Sequence, residues 1–310
     1  MQTSRSLLPI EGEMPARAVG VLFIIMKKNY YYLIAGLPEL SLDDSKLGIT
    51  VREFRELYYP DLADDDRALL DLIFLSYDNA NLLALLKDKE AAIVEGGLYT
   101  GEELLGIIEA ARAEEVPDRN YPRYMYDFVA QMESEENATE GIFPEDRLAQ
   151  LYYAHAMNQG NVFVERWFAF NLDLNNFLTA ITARRYDLDV KPLIVGDNEV
   201  AKALRTSNSR DFGLTGVMDG FEEVMRISEI DNLVERERKL DVLKWEWMEE
   251  NSFFDYFTVE KLFAFLVKIQ IIERWITLDA EAGGEMLRSM IRQLKDEVKV
   301  PQEFTINNKK

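Results

Sequence analysis

Apolar residues recur every three or four positions over most of this chain, the period of a helix with one buried face. In VREFRELYY the positions Val51, Phe54, Leu57 and Tyr58 hold that register behind a turn-forming stretch, SLDDSKLGIT. TGEELLGIIEAARAEE places Leu104, Leu105, Ile108 and Ala111 on one face. Thr100 stands where a cap belongs, with Glu103 three residues later, the spacing of a capping box. PEDRLAQLYYAHAMNQ opens on proline and acids and continues with Leu148, Leu151, Tyr152 and His155. From Gly220 to Phe254 runs a long amphipathic segment whose apolar positions include Val224, Ile227, Ile230, Val234, Leu240, Leu243 and Trp247. Strand signals are sparse: KNYYYLIAGL has the aromatic and β-branched residues of a strand, yet it opens a helix equally well. The expected fold class is predominantly all-α. Connections are expected at 116–123, 133–146, 190–198 and 207–220.

One helical stretch is written twice. VERWFAFNLDLNNFLTAI, from Val164 to Ile181, returns as VEKLFAFLVKIQIIERWI, from Val259 to Ile276, at a constant offset of 95 and with no gap. The stripe Trp167, Phe170, Leu174, Phe177, Ile181 maps onto Leu262, Phe265, Ile269, Ile272, Ile276. Phe168 and Phe170 return as Phe263 and Phe265, as packing positions would. A further step back reaches Leu72, Leu75, Asn79, Leu82 and Leu86, where one position breaks the apolar pattern. There Asp78, Asn81 and Leu83 meet Asp173, Asn176 and Leu178, and Gly101 meets Gly196. A fixed period of this kind is the signature of repeated units, each needing a neighbour or a bundle of its own to bury its stripe. Three units follow, at 26–118, 119–213 and 214–310. Residues 1–25 read as a disordered tail or a mis-assigned start, with Met26 as the start of the folded unit.

Composition narrows the chemistry. The 310 residues carry 35 Lys and Arg against 56 Asp and Glu, a net charge of −21 that repels phosphate backbones and anionic lipid. No nucleic-acid partner is expected. The apolar run Ala18–Met26 is too short to span a bilayer and has its lysines on the wrong side for a signal peptide, so no direct bilayer insertion is expected either. Without cysteine there is no thiolate nucleophile, thiolate metal site or disulfide.

Motifs for catalysis are thin. There is no GxxxxGK[ST] loop to cradle phosphates, and GLTGVMDG lacks a lysine and carries an acid, which marks it as a connection. His155, the only histidine, sits among apolar residues of a helix and reads as a packed side chain. No catalytic residue, cofactor or metal ligand is assigned. Asn171, Asn175 and Asn176 stand out, because asparagine weakens helices and three of them share one. Two readings stand: bonds to neighbouring backbone, or a polar stripe facing a cavity or partner.

The stretches KKNYYYLIAGLPELSLDD and SYDNANLLALL resemble a bacterial family named only as a domain of unknown function and associated with V-type ATPase genes. The helical repeats in turn resemble the C subunit of archaeal and bacterial V/A-type ATPases, equivalent to eukaryotic subunit d. In that family three helical units carry motifs of the type NLxxLLxxK, here NLLALLKDK at 81–89, with LNNFLTAITARRYDLD as the middle counterpart. The last unit has a form like LAYLxxKxxExRNIRxI. Phe263, Ala264, Phe265, Leu266, Arg274 and Ile276 fall on its positions, while Lys268 and Glu273 sit one place off and Trp275 replaces an asparagine.

The resemblance implies a funnel of three helical units and a non-catalytic central-stalk subunit. Such a subunit couples the rotary shaft to the membrane rotor ring from the cytoplasmic face, peripheral to the membrane, and needs no cofactor. Its partners are then the shaft subunits and the ring. Candidate partner-interface residues are Asn81, Asn171, Asn175, Asn176, Arg184, Arg185 and Arg274, with Lys27, Lys28, Lys309 and Lys310 as further basic contacts. Alternatives are a soluble adaptor or assembly factor for the same complex, or a hydrolase with an acidic site.

Overall fold

A computed structural model of the chain describes residues 28–133 and 143–278. The proposed tail at 1–25, Lys27, Lys309 and Lys310 lie outside the described residues. Among the described residues there are twelve α-helices and no strand: α1 Tyr31–Ala35, α2 Val51–Tyr58, α3 Asp64–Asp71, α4 Leu75–Lys87, α5 Gly101–Arg112, α6 Arg123–Glu133, α7 Pro144–Ala156, α8 Val162–Arg185, α9 Glu199–Thr206, α10 Phe221–Ser228, α11 Leu233–Asn251 and α12 Val259–Thr277. The fold is all-α.

Local chemistry sets several boundaries. α2 and α5 each begin with a full capping box, Thr50 with Glu53 and Thr100 with Glu103, in which the hydroxyl takes the N3 amide and the glutamate takes the cap amide. The long segment from Gly220 to Phe254 is two helices. Asn232 accepts from the amides of Val234 and Glu235, a cap that starts α11 anew after α10 ends at Ser228. KNYYYLIAGL resolves as the short helix α1, and Pro144 opens α7.

Helices α4, α5, α6 and α7 pack in sequence, and α7 returns to touch α4. Helices α8, α10, α11 and α12 form a second closed circuit, with α9 against α8. α7 packs on α8, and α12 reaches back to α2 and α3. One hydrophobic cluster runs through all of it. The units drawn at 118/119 and 213/214 therefore share a core; the first boundary falls between α5 and α6, which pack directly on each other.

Four of the five positions in each copy of the stripe are core, while the last fall short, Ile181 being half-buried and Ile276 exposed at the end of α12. Trp167, Phe170, Leu174 and Phe177 are buried, as are Leu262, Phe265, Ile269 and Ile272. The aromatic positions close on α11: Phe163, Trp167 and Phe170 surround Trp247 with ring centroids 5.5, 5.3 and 5.6 Å away. Phe263 meets Phe163 and Phe168 edge-on. Such rings supply large apolar burial and a preferred geometry. Asn79, which breaks the apolar pattern in the first copy, stays buried because it accepts a 2.7 Å hydrogen bond from the Tyr124 hydroxyl.

Candidate functional site

The asparagines that align at an offset of 95 perform the same task. The Asn81 side chain donates to the Val94 carbonyl (3.0 Å) and accepts from the Val94 amide (2.8 Å). Asn176 does the same with Val195, at 2.8 and 2.9 Å. A carboxamide presents an acceptor and donors in one plane, so it pairs with the N–H and C=O of a single residue as a strand neighbour does. Each asparagine thereby clasps the connection that follows its own helix. Both are buried, at 1% and 3% exposure, so neither presents a surface to a partner. The interface role expected for Asn81 and Asn176 gives way to this structural one.

The two clasps differ in their second element. Asp78, one turn before Asn81, accepts from the amides of Leu98 (2.9 and 3.0 Å) and Tyr99 (3.1 Å). Burial pushes its carboxyl up; the two amides and the nearby Arg55 pull it back down. Gly97 makes this possible, because a Cβ there would overlap the Asp78 carboxylate. Asp173, the counterpart, takes a 2.6 Å bond from the side chain of Asn198, which also caps α9 by accepting from Ala201. Burial raises its carboxyl to about 6, with Asp219 adding to the rise and Asn198 opposing it. The connection after α8 is also longer. Gly101 is the first residue of α5, whereas Gly196 lies in a turn before α9 with φ of +81°, so their match in sequence is not a match in structure.

The third copy abandons the clasp. Lys268 and Ile271 occupy the positions of Asp173 and Asn176, and both are buried. Lys268 pairs with Glu249 and lies 4.8 Å over the Trp245 ring, while burial lowers its amine.

The remaining candidates are scattered. Asn171 donates back to the Trp167 carbonyl within its own helix (2.8 Å), and Asn175 is exposed and donates to the Tyr153 hydroxyl (3.0 Å). The three asparagines of α8 thus do not form one stripe: one is inside, one is folded back, one faces out. Arg184 holds the connection after α9, donating to the carbonyls of Ser207 and Ser209 and stacking on Phe212 at 3.3 Å. Arg274 binds Asp241, which is 2% exposed and also takes the Trp275 indole N–H at 2.6 Å. This cluster ties α11 to α12. Arg185 is the one arginine of the three that stands at an open groove, between α8 and α11. His155 is half-buried against Tyr124, and burial lowers its imidazole.

One surface feature was not singled out from the sequence. In the turn between α11 and α12, Phe253, Phe254, Tyr256 and Phe257 are exposed, and Tyr31 of α1 lies 4.5 Å from Phe257, with Tyr32 fully outward beside it. The Tyr30 amide donates to the Phe257 carbonyl, fixing the two segments together. Phe253 packs edge-on against Phe254 at 5.0 Å, so the exposed rings stand in pairs along this turn. The signal was the aromatic run FFDYF, whose first two residues the amphipathic segment was expected to include but which lies past the end of α11.

These features define a class: an all-α scaffold in which two successive helices clasp the connections behind them. Residues 26–298 match the family model described as Protein of unknown function (DUF2764), and the chain belongs to that family. No curated protein and no solved structure gives a significant match.

Proposed function

We propose that this chain is a non-catalytic central-stalk subunit of a V/A-type ATPase, coupling the rotary shaft to the membrane rotor ring. The observation that carries the reading is the clasp repeated in register in two successive helical units, because the C subunit that the sequence resembles is itself an array of similar helical units. The exposed aromatic turn at 253–257 supports it, as a surface suited to a protein partner. Asp78 and Asp241, the buried carboxylates with the fullest sets of partners, are spent on backbone amides and on Arg274, and neither lines the groove beside α8. That arrangement favours a scaffold over an acidic-site hydrolase. No single described helix is long and apolar enough to cross a membrane, which agrees with docking on the ring from its cytoplasmic side.

A pull-down of the tagged chain from native membranes in mild detergent tests the reading. Shaft and ring subunits are expected in stoichiometric amounts, and less of them as ionic strength rises, because a body at −21 docks on basic surfaces. Recovery with assembly intermediates alone would make the chain an assembly factor. Recovery without any ATPase subunit would overturn the proposal.

A further inference from the structure

The circuit α8–α10–α11–α12 leaves a groove of about 340 Å³ where the last two turns of α8 face the start of α11. Leu178 and Ile181 from α8 and Leu188 and Leu193 from the segment after it give its apolar walls, with the hydroxyls of Thr179, Thr182 and Ser228 among them. Two guanidinium groups, Arg185 and Arg236, stand at its edge. Arg185 is loosely engaged, with one 3.4 Å contact to the Ser228 carbonyl. Arg236 is half-buried, and among the described residues its guanidinium has no carboxylate or carbonyl partner. The acid at the groove, Glu237, already lies 3.7 Å from Arg274. In a chain of net charge −21, a largely apolar groove with two arginines and one shared carboxylate is a local inversion of charge.

A guanidinium whose donors are not taken up within the protein receives a carboxylate through paired, charge-assisted hydrogen bonds. Arg236 also sits in the first turn of α11, the end at which a helix favours negative charge. The groove is open along one side and at the small end of the range for ligand pockets, which suits side chains projecting from a longer segment better than an enclosed small molecule. We propose that this groove receives an acidic, leucine-rich segment of a partner protein. Its carboxylate is held between Arg236 and Arg185, and its aliphatic side chains lie on Leu178, Ile181, Leu188 and Leu193. The proposal stands apart from the ATPase assignment: it concerns the chemistry of the segment, whatever complex supplies it.

The test uses the full chain and a fluorescein-labelled amphipathic peptide of leucine, alanine and glutamate, with a twin in which glutamine replaces every glutamate. Fluorescence anisotropy is expected to show saturable binding of the first and at least a roughly tenfold weaker binding of the second. Arg236→Gln is expected to weaken the glutamate peptide about tenfold. Leu188→Glu, which adds an acid to an exposed wall position without opening the core, is expected to do the same, and Arg123→Gln on distant α6 to do nothing. Thermal melts of all three variants check that the fold is intact. Equal affinity for the two peptides, no binding of the glutamate peptide at about 1 mM, or indifference to both groove variants would overturn the proposal. Octanoate binding more tightly than the peptide would also overturn it, by making the groove a small-carboxylate site.

Discussion

The first and second clasps solve one problem with different materials. Each must fasten a helix to the irregular segment behind it, and each uses an asparagine on the N–H and C=O of one residue, Val94 or Val195. The first then satisfies a fully buried carboxylate, Asp78, with main-chain amides, which requires the backbone to come so close that Gly97 can carry no side chain. The second reaches a half-buried carboxylate, Asp173, with the side chain of Asn198, with no backbone pressed against the carboxylate. Backbone amides are fixed donors that cost no rotamer freedom, while a side-chain amide can swing away. The first clasp is therefore the rigid one and the second the adjustable one.

The contrast can be broken most sharply at Gly97. Gly97→Ala is expected to push Asp78 off the Leu98 and Tyr99 amides and cost about 3 kcal/mol, measured by urea denaturation. A loss near zero would mean that the close approach is not needed. Next come the asparagines. Asn81→Ala should cost about 2–3 kcal/mol and Asn176→Ala about 1–2 kcal/mol, each losing two buried hydrogen bonds to backbone.

Asp173 gives a smaller, pH-dependent effect. Its carboxyl is raised from 3.8 to about 6, so the folded state binds the proton more tightly than the unfolded chain does. Its favourable contribution is complete below about pH 4 and is lost as pH climbs to about 6 and beyond. Asp173→Asn should flatten that stretch of the stability profile and stabilise the fold at neutral pH by roughly 1 kcal/mol, allowing for solvent screening. An unchanged profile would remove Asp173 from the account. The smallest effect is expected at Asn175, whose exposed bond to Tyr153 is worth at most about 0.5 kcal/mol in the same assay.

Much of the architecture was legible because helical periodicity is a local signal. The capping box at Thr100, the buried part of the stripes of α8 and α12, and the packed His155 follow from spacing and residue type, whereas the box at Thr50 went unread behind a run of turn residues. The break between α10 and α11 was less visible, since apolar residues keep their phase across it and only the Asn232 cap ends the run. Asn171 and Asn176 follow the first of the two readings, bonds to backbone, while burial takes Asn81 and Asn176 away from any partner surface. Their rarity in helices does signal a demand, but burial decides whether that demand comes from the chain's own backbone or from a partner, and burial is a tertiary property. The bonds made by Arg184 and Arg274 were out of reach for the same reason: Ser207 and Ser209 lie 23 and 25 residues from Arg184, and Asp241 lies 33 from Arg274, beyond any local pattern. Gly101 and Gly196 aligned because the helices repeat; the connections do not, and Asn81 reaches Val94 over 13 residues where Asn176 reaches Val195 over 19.

The most direct test of the repeated clasp is amide hydrogen exchange at Val94 and Val195, followed by NMR in the wild-type chain and in Asn81→Ala and Asn176→Ala. Neither valine lies in a helix, so protection of its N–H depends on the asparagine that accepts it. Both amides should exchange slowly in the wild type, with Val94 speeding up in the first variant only and Val195 in the second only. Rapid exchange of either amide in the wild type, or exchange indifferent to its own asparagine, would contradict the account.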